Sequence, residues 1–144
     1  MLNDYNVKAV NDAYKNAHIA MQSISDLLPE VKDENLKKEL NSEFNGYETH
    51  INDISAFMKE KKIEPKDINA FQKTIMKGSI KMKTFFNGSK NNIAEMMLKG
   101  TVNGINELAA MKNESENLDE DVNALICDLL KTEENYEKRL RKYL

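Results

Sequence analysis

A chain of 144 residues, 31% charged and 40% hydrophobic, is long enough for one core and too short for two. Five Gly and two Pro are too few for an all-β fold, which needs a turn residue every ~8–12 positions, and a lone Cys excludes a disulfide framework or a Cys-rich zinc site. The net charge of −3 is unevenly placed: residues 1–58 carry −5, residues 59–90 carry +6 and residues 91–144 carry −4. No apolar run approaches the ~20 residues of a membrane span, and Met1-Leu2-Asn3-Asp4 does not open a signal peptide. The expectation is a cytoplasmic, single-domain, all-α protein over residues 1–144.

Apolar residues recur at three- and four-residue steps in four long stretches, the spacing of helices that bury one face. The first helix is expected over 3–28, with Val10, Ala13, Tyr14, Ala17, Met21, Ile24 and Leu28 on its inner face. Pro29 ends it, because proline disfavours helical geometry at the preceding residue. Asp33 then caps a second helix over 34–61, with Leu36, Leu40, Phe44, Tyr47, Ile51, Ile54 and Met58 inward. So short a turn makes the pair an antiparallel hairpin.

Residues 66–86 are expected to form an extra crossover helix. Ile68, Phe71, Ile75, Met82 and Phe86 share one face, Lys73, Lys77 and Lys81 form an i, i+4 ladder elsewhere on it, and Asn87-Gly88 ends it. A second hairpin follows. Ser89 caps a helix over 90–113, lined by Ile93, Met97, Gly100, Gly104, Leu108 and Met111. After a polar turn, a helix over 118–143 aligns Val122, Leu125, Ile126, Leu129, Tyr136, Leu140 and Tyr143. Two hairpins, each with one apolar stripe, bury those stripes against each other as a four-helix bundle.

The stripes carry their least typical residues near mid-height. Glu133 lies at the centre of the stripe of Val122, Ile126, Leu129 and Leu140. A carboxylate there is costly unless paired, hydrogen-bonded, protonated or bound to a metal. Tyr47 is central on the second helix, with Glu43 and His50 toward its edge, where such residues usually reach solvent. Glu43, Tyr47, His50, Glu133 and Tyr136 are therefore expected to converge on one polar layer that sets helix register. Reflection about the turns places Ala17 level with residue 45 and Glu133 level with Met97 and Gly100. Gly100 and Gly104 thin the third helix of the bundle for its neighbours. His18 reads as a boundary histidine, Cys127 has no catalytic partner nearby in sequence, and the methionines fill core. No Gly-rich phosphate loop, Ser/His/Asp set or Cys-x-x-Cys pair occurs.

Two hairpins, a long crossover and mid-height polar groups resemble the ferritin-like superfamily, the rubrerythrin and bacterioferritin type of bundle. The stretch Ile93-Ala94-Glu95-Met96-Met97, with Gly100 and Gly104-Ile105, is also similar to small ferritin-like bacterial families. The resemblance implies a Glu-x-x-His on the second and fourth helices and one Glu on each of the others. Here the second helix has Tyr47-Glu48-Thr49-His50 and the fourth has Glu133-Glu134-Asn135-Tyr136, while Ala17 and Gly100 or Asn103 stand at the remaining heights. Two of the six ligand positions implied by the resemblance match, His50 and Glu133.

Two hard cations need several carboxylates, so the expected function is non-catalytic: a structural or partner-binding bundle, self-associating through helix faces, whose dimetal centre is lost and which needs no cofactor. One alternative is a weak or mononuclear iron or manganese site on His50 and Glu133, with Glu43, Tyr47 and Tyr136 near it and Glu107 as a further carboxylate. Another is binding to a membrane surface or anionic partner through Lys73, Lys77 and Lys81. Arg is absent from the basic segment, which argues against specific nucleic-acid recognition.

Overall fold

The computed structural model describes residues 2–66 and 88–144. Among them are four α-helices and no strand: α1 (Asp4–Leu27), α2 (Glu34–Glu60), α3 (Lys90–Asn113) and α4 (Glu120–Leu140). The expected crossover helix, with Lys73, Lys77 and Lys81, lies outside the described residues except for Lys66. That residue is not helical, and its N–H donates to Asn11 Oδ1 at 2.9 Å.

Local chemistry sets most of the boundaries. Asp33 Oδ1 accepts from Leu36 N at 2.8 Å and Ser89 Oγ from Asn92 N at 3.1 Å, so both expected caps are in place. Asn3 caps α1 in the same way, accepting from Asn6 N at 3.0 Å. Helix α1 stops at Leu27, and Pro29 sits in a 3-10 turn over Leu28–Glu30 that delivers Val31 to the core. Gly88 takes φ 76° just before the Ser89 cap, where a side chain would be strained.

The last helix departs from expectation. It begins at Glu120 rather than 118 and passes into a 3-10 turn over Arg141–Tyr143. A 3-10 turn over Ser115–Asn117 leaves Leu118 extended and packed against the core. The Asp119 N–H then donates to Oδ1 of the buried Asn6 at 2.8 Å. A buried side chain of α1 thus holds the entrance to α4.

One apolar cluster joins all four helices, with Ile24, Leu36, Leu40, Ile54, Ile93, Leu108, Ile126, Leu129 and Leu140 fully buried in it. At about 1.5–3 kcal/mol per buried large aliphatic side chain, this burial dominates the stability. The strongest packing is within the pairs α1–α2 and α3–α4, and α1 also touches both helices of the second pair.

Directions follow from the bonds across the α2–α4 seam. Asn35 meets Tyr143, Glu39 meets Arg139, Tyr47 meets Glu133, His50 meets Thr132 and Lys61 meets Asp121. Residue numbers rise along α2 as they fall along α4, so these helices are antiparallel. Because short turns also make α1–α2 and α3–α4 antiparallel, α2 and α3 run the same way. The end of α2 and the start of α3 therefore lie at opposite ends of the bundle, about 36 Å apart, the length of a 24-residue helix.

Helix α2 closes through a six-residue turn in which Ile63 N donates to Met58 O at 2.8 Å and Lys62 N to Lys59 O at 3.3 Å. Ile63 and Met58 are both buried beside it. This is a Schellman closure, but its left-handed position holds Lys62, at φ 57°. Replacing Lys62 by Gly removes a strain of about 1 kcal/mol. Lys62→Gly is expected to raise the thermal midpoint, as read by circular dichroism.

Candidate functional site

The polar layer expected at mid-height exists, and its centre is a bond between α2 and α4. Glu133 is 1% exposed and Tyr47 is 1% exposed. The Tyr47 hydroxyl donates to Glu133 Oε2 at 2.8 Å. The Tyr136 ring meets that of Tyr47 edge-on, with centroids 5.4 Å apart. Gly46 makes room for it, since a Cβ there would collide with the Tyr136 hydroxyl. Two aromatic rings thus occupy the space beside the carboxyl.

A second carboxyl lies one turn of α2 away. Glu43 is fully buried, deeper than a place at the stripe edge implies. The buried face of α2 is wider than its apolar residues, and on this flank Arg139 and Tyr136 of α4 lie against Glu39 and Gly46. Arg139 Nε donates to Glu39 Oε1 at 2.9 Å, and its guanidinium lies 5.3 Å from the Tyr136 ring centre. With both acids ionised, Glu43 Oε1, Glu43 Oε2 and Glu39 Oε2 are all buried without hydrogen bonds. A proton on Glu43 removes the conflict, because the neutral acid donates to Glu39 while Glu39 accepts from Arg139. Burial first, then this bond to Glu39, pushes the Glu43 pKa up to about 10.

Glu133 follows the same logic less strongly. Burial pushes its pKa up to about 8 against the opposing bond from Tyr47. Its second oxygen, Oε1, is buried without a close hydrogen bond, and the neighbouring Asn16 amide lowers the pKa in the same sense as Tyr47. Beside it stands Asn16 of α1, whose Nδ2 donates to Gly104 O at 3.1 Å and whose Oδ1 is likewise buried and unpartnered. Gly104 is packed against both: an added Cβ would lie 2.8 Å from Glu133 Oε1 and 3.1 Å from Asn16 Nδ2. From this point a groove of about 210 Å³ opens between α1 and α3. Glu133, Asn16 and Gly104 lie along it with Ile19, Ala20, Met96, Met97, Thr101 and Glu107. Burial raises the pKa of Glu107.

Of the expected site residues, Tyr47, Glu133, Tyr136 and Glu43 share this layer. His50 takes a different partner: its Nε2 lies 2.8 Å from Thr132 Oγ1, half-buried on the α2–α4 seam. Burial lowers its pKa, and the charges acting on it are Asp53 and Asp128 rather than Glu133. Among the described residues no three His, Cys, Asp or Glu side chains converge to hold a metal ion. Gly104 faces Glu133, one turn beyond Gly100 and about two beyond Met97, the heights expected from reflection about the turn. Gly100 is exposed on the groove, with nothing within 4 Å of a Cβ placed there.

Sequence reasoning missed Asn6, Asn16, Glu39, Gly46 and Arg139. A usable signal existed for the first two. Asn6, Val10, Ala13 and Ala17 keep the helical step, with Asn16 beside Ala17, so polar residues at stripe positions mark buried hydrogen bonds.

Two measurements check this layer. The folded state holds protons on Glu43 and Glu133 up to about 10 and about 8, whereas unfolded carboxyls lose them near their ordinary value of 4.5. The folded state therefore binds more protons in that interval, and stability falls as pH rises from about 4.5 toward those values. The slope is at most about 1.4 kcal/mol per pH unit for each group. Thermal melts from pH 5 to 8 are expected to show this fall, and Glu43→Gln to flatten it and raise the midpoint at pH 8. The two glycines give opposite outcomes in the same assay. Gly100→Ala stabilises by about 1 kcal/mol through helix propensity, whereas Gly104→Ala destabilises by forcing a methyl against Glu133.

In comparisons with known proteins, no family model, no curated protein and no solved structure matches this chain.

Proposed function

We propose that the chain is a ferritin-like four-helix bundle in which a tyrosine–carboxyl network stands where related bundles hold two metal ions. It acts without catalysis, as a structural or partner-binding protein of the cytoplasm. The parallel direction of α2 and α3 supports the architecture, since one long crossover distinguishes ferritin-like bundles from simple up-down ones. The observation that carries the function is the 2.8 Å bond from Tyr47 to Glu133 at the centre of the layer. It commits one carboxyl oxygen to a neutral phenol, with aromatic rings filling the volume beside it.

A dimetal centre does not fit this donor set. Glu43 is turned to Glu39, His50 is engaged with Thr132, and Asn16 and Gly104 line the remaining side. A single ion on His50 and Glu133 would first have to draw His50 away from Thr132. The anionic-partner reading rests on Lys73, Lys77 and Lys81, outside the described residues. For self-association, Tyr5 and Leu144 are the large hydrophobic residues left exposed among those described. An interface on these helices would therefore be mainly polar. No described helix is long and apolar enough to cross a membrane.

Metal loading tests the proposal. Protein incubated with Fe(II) or Mn(II) and passed through a desalting column is expected to retain well under one ion per chain by elemental analysis. Two retained ions per chain would overturn it.

A further inference from the structure

The groove between α1 and α3 has two buried, unpartnered side-chain oxygens on its floor. Glu133 Oε1 and Asn16 Oδ1 are both buried and lack hydrogen-bond partners. Glu133 is held by Tyr47 through its other oxygen, and Asn16 by the carbonyl of Gly104 through its nitrogen. Neither group is free to turn its acceptor elsewhere. The Thr101 hydroxyl already donates to Met97 O at 2.8 Å, which leaves only its lone pairs for the groove. Glu107 adds a carboxyl to the lining. Buried acceptors without donors are costly; a proton on Glu133 meets part of that demand, and a donor-rich cation beside the ionised carboxyl meets it for several oxygens at once.

The walls are apolar, from Ile19, Ala20, Met96 and Met97, and the volume is about 210 Å³. A cavity of about 150 Å³ accommodates benzene, so the space suits a body of that size with one short polar arm. Gly100 keeps the lining open, because any side chain there would project into unfilled space.

We propose that this groove binds a small primary amine as its ammonium ion, with Glu133 Oε1 and Asn16 Oδ1 accepting from the nitrogen and the methionines covering its apolar body. The site goes beyond the structural role of Glu133, which uses only Oε2. On binding, an ammonium N–H takes the place of the proton carried by Glu133, and that proton passes to solvent.

A titration of the intact chain, followed by amide NMR shifts, tests the proposal with benzylammonium and propylammonium chloride. Benzyl alcohol and benzoate serve as shape-matched controls. Saturable shifts are expected at Asn16, Ala20, Met97 and Gly104, with benzylammonium at least about tenfold tighter than the alcohol, the margin of a charge-assisted bond over a neutral one. Glu133→Gln keeps an acceptor for Tyr47 and is expected to erase that preference. Gly100→Leu fills the groove from its solvent side, and is expected to abolish binding while keeping or raising the melting temperature. The proposal is overturned if neither ammonium binds below about 10 mM, weak even for ligands this small. Equal binding of amine and alcohol, or a Gly100→Leu variant that binds as tightly as wild type, would overturn it too.

Discussion

A carboxyl group enclosed by four helices must find its hydrogen bonds inside the protein, and Glu133 imposes that condition on every element around it. Helix α2 answers with Tyr47, whose hydroxyl reaches Oε2. Helix α3 answers with Gly104, the residue small enough to lie against the carboxyl. Helix α1 supplies Asn16, anchored to the Gly104 carbonyl. Each contribution fixes a height as well as a contact, so one buried acid aligns three neighbouring helices. The energetic return is small, since a net hydrogen bond contributes about 1 kcal/mol and burying the acid opposes it. The aliphatic core supplies most of the stability, and the polar layer selects one register among several that would bury that core equally well.

The same division of labour holds between the hairpins. Within α1–α2 and α3–α4, a short turn and a continuous apolar face suffice. Between them, the fixed points are polar: Asn6 to Asp119, Asn16 to Gly104, Tyr47 to Glu133, His50 to Thr132 and Glu39 to Arg139. Apolar stripes slide past one another at little cost, whereas a buried acceptor that loses its donor costs about 1–3 kcal/mol. The two acids at the centre meet that constraint differently. Glu43 is satisfied within the layer by holding a proton between itself and Glu39. Glu133 is only half satisfied, and its unused oxygen lies on the groove.

Much of the fold was legible in the sequence because its signals are local. Asp33, Ser89 and Pro29 act on neighbouring backbone, so the starts of α2 and α3 and the end of α1 follow from them to within a residue. The start of α4 was not legible, because it depends on Asn6 more than a hundred residues away and on Leu118 turning inward. The residue facing Glu133 is Gly104 rather than Met97 or Gly100, a register that the length of the turn alone does not fix. Burial of Glu133 and Tyr47 could be read from the stripe. Burial of Glu43 could not, because the Arg139–Glu39 and Tyr136–Gly46 contacts on its flank join α2 to a helix far away in the chain.

The sequence by itself determined the helices of the described residues, their pairing into hairpins and the presence of acids where apolar residues belong, since charge pattern, periodicity and capping residues act over a few positions. Even the slight acidic excess mattered less than the place of two of its members. Only the tertiary structure decided which acid is satisfied, that His50 turns to Thr132 rather than to Glu133, and that an acceptor-lined groove remains beside Gly100. Those outcomes depend on distances between helices far apart in the chain, and a register shift of a single turn is enough to change every one of them.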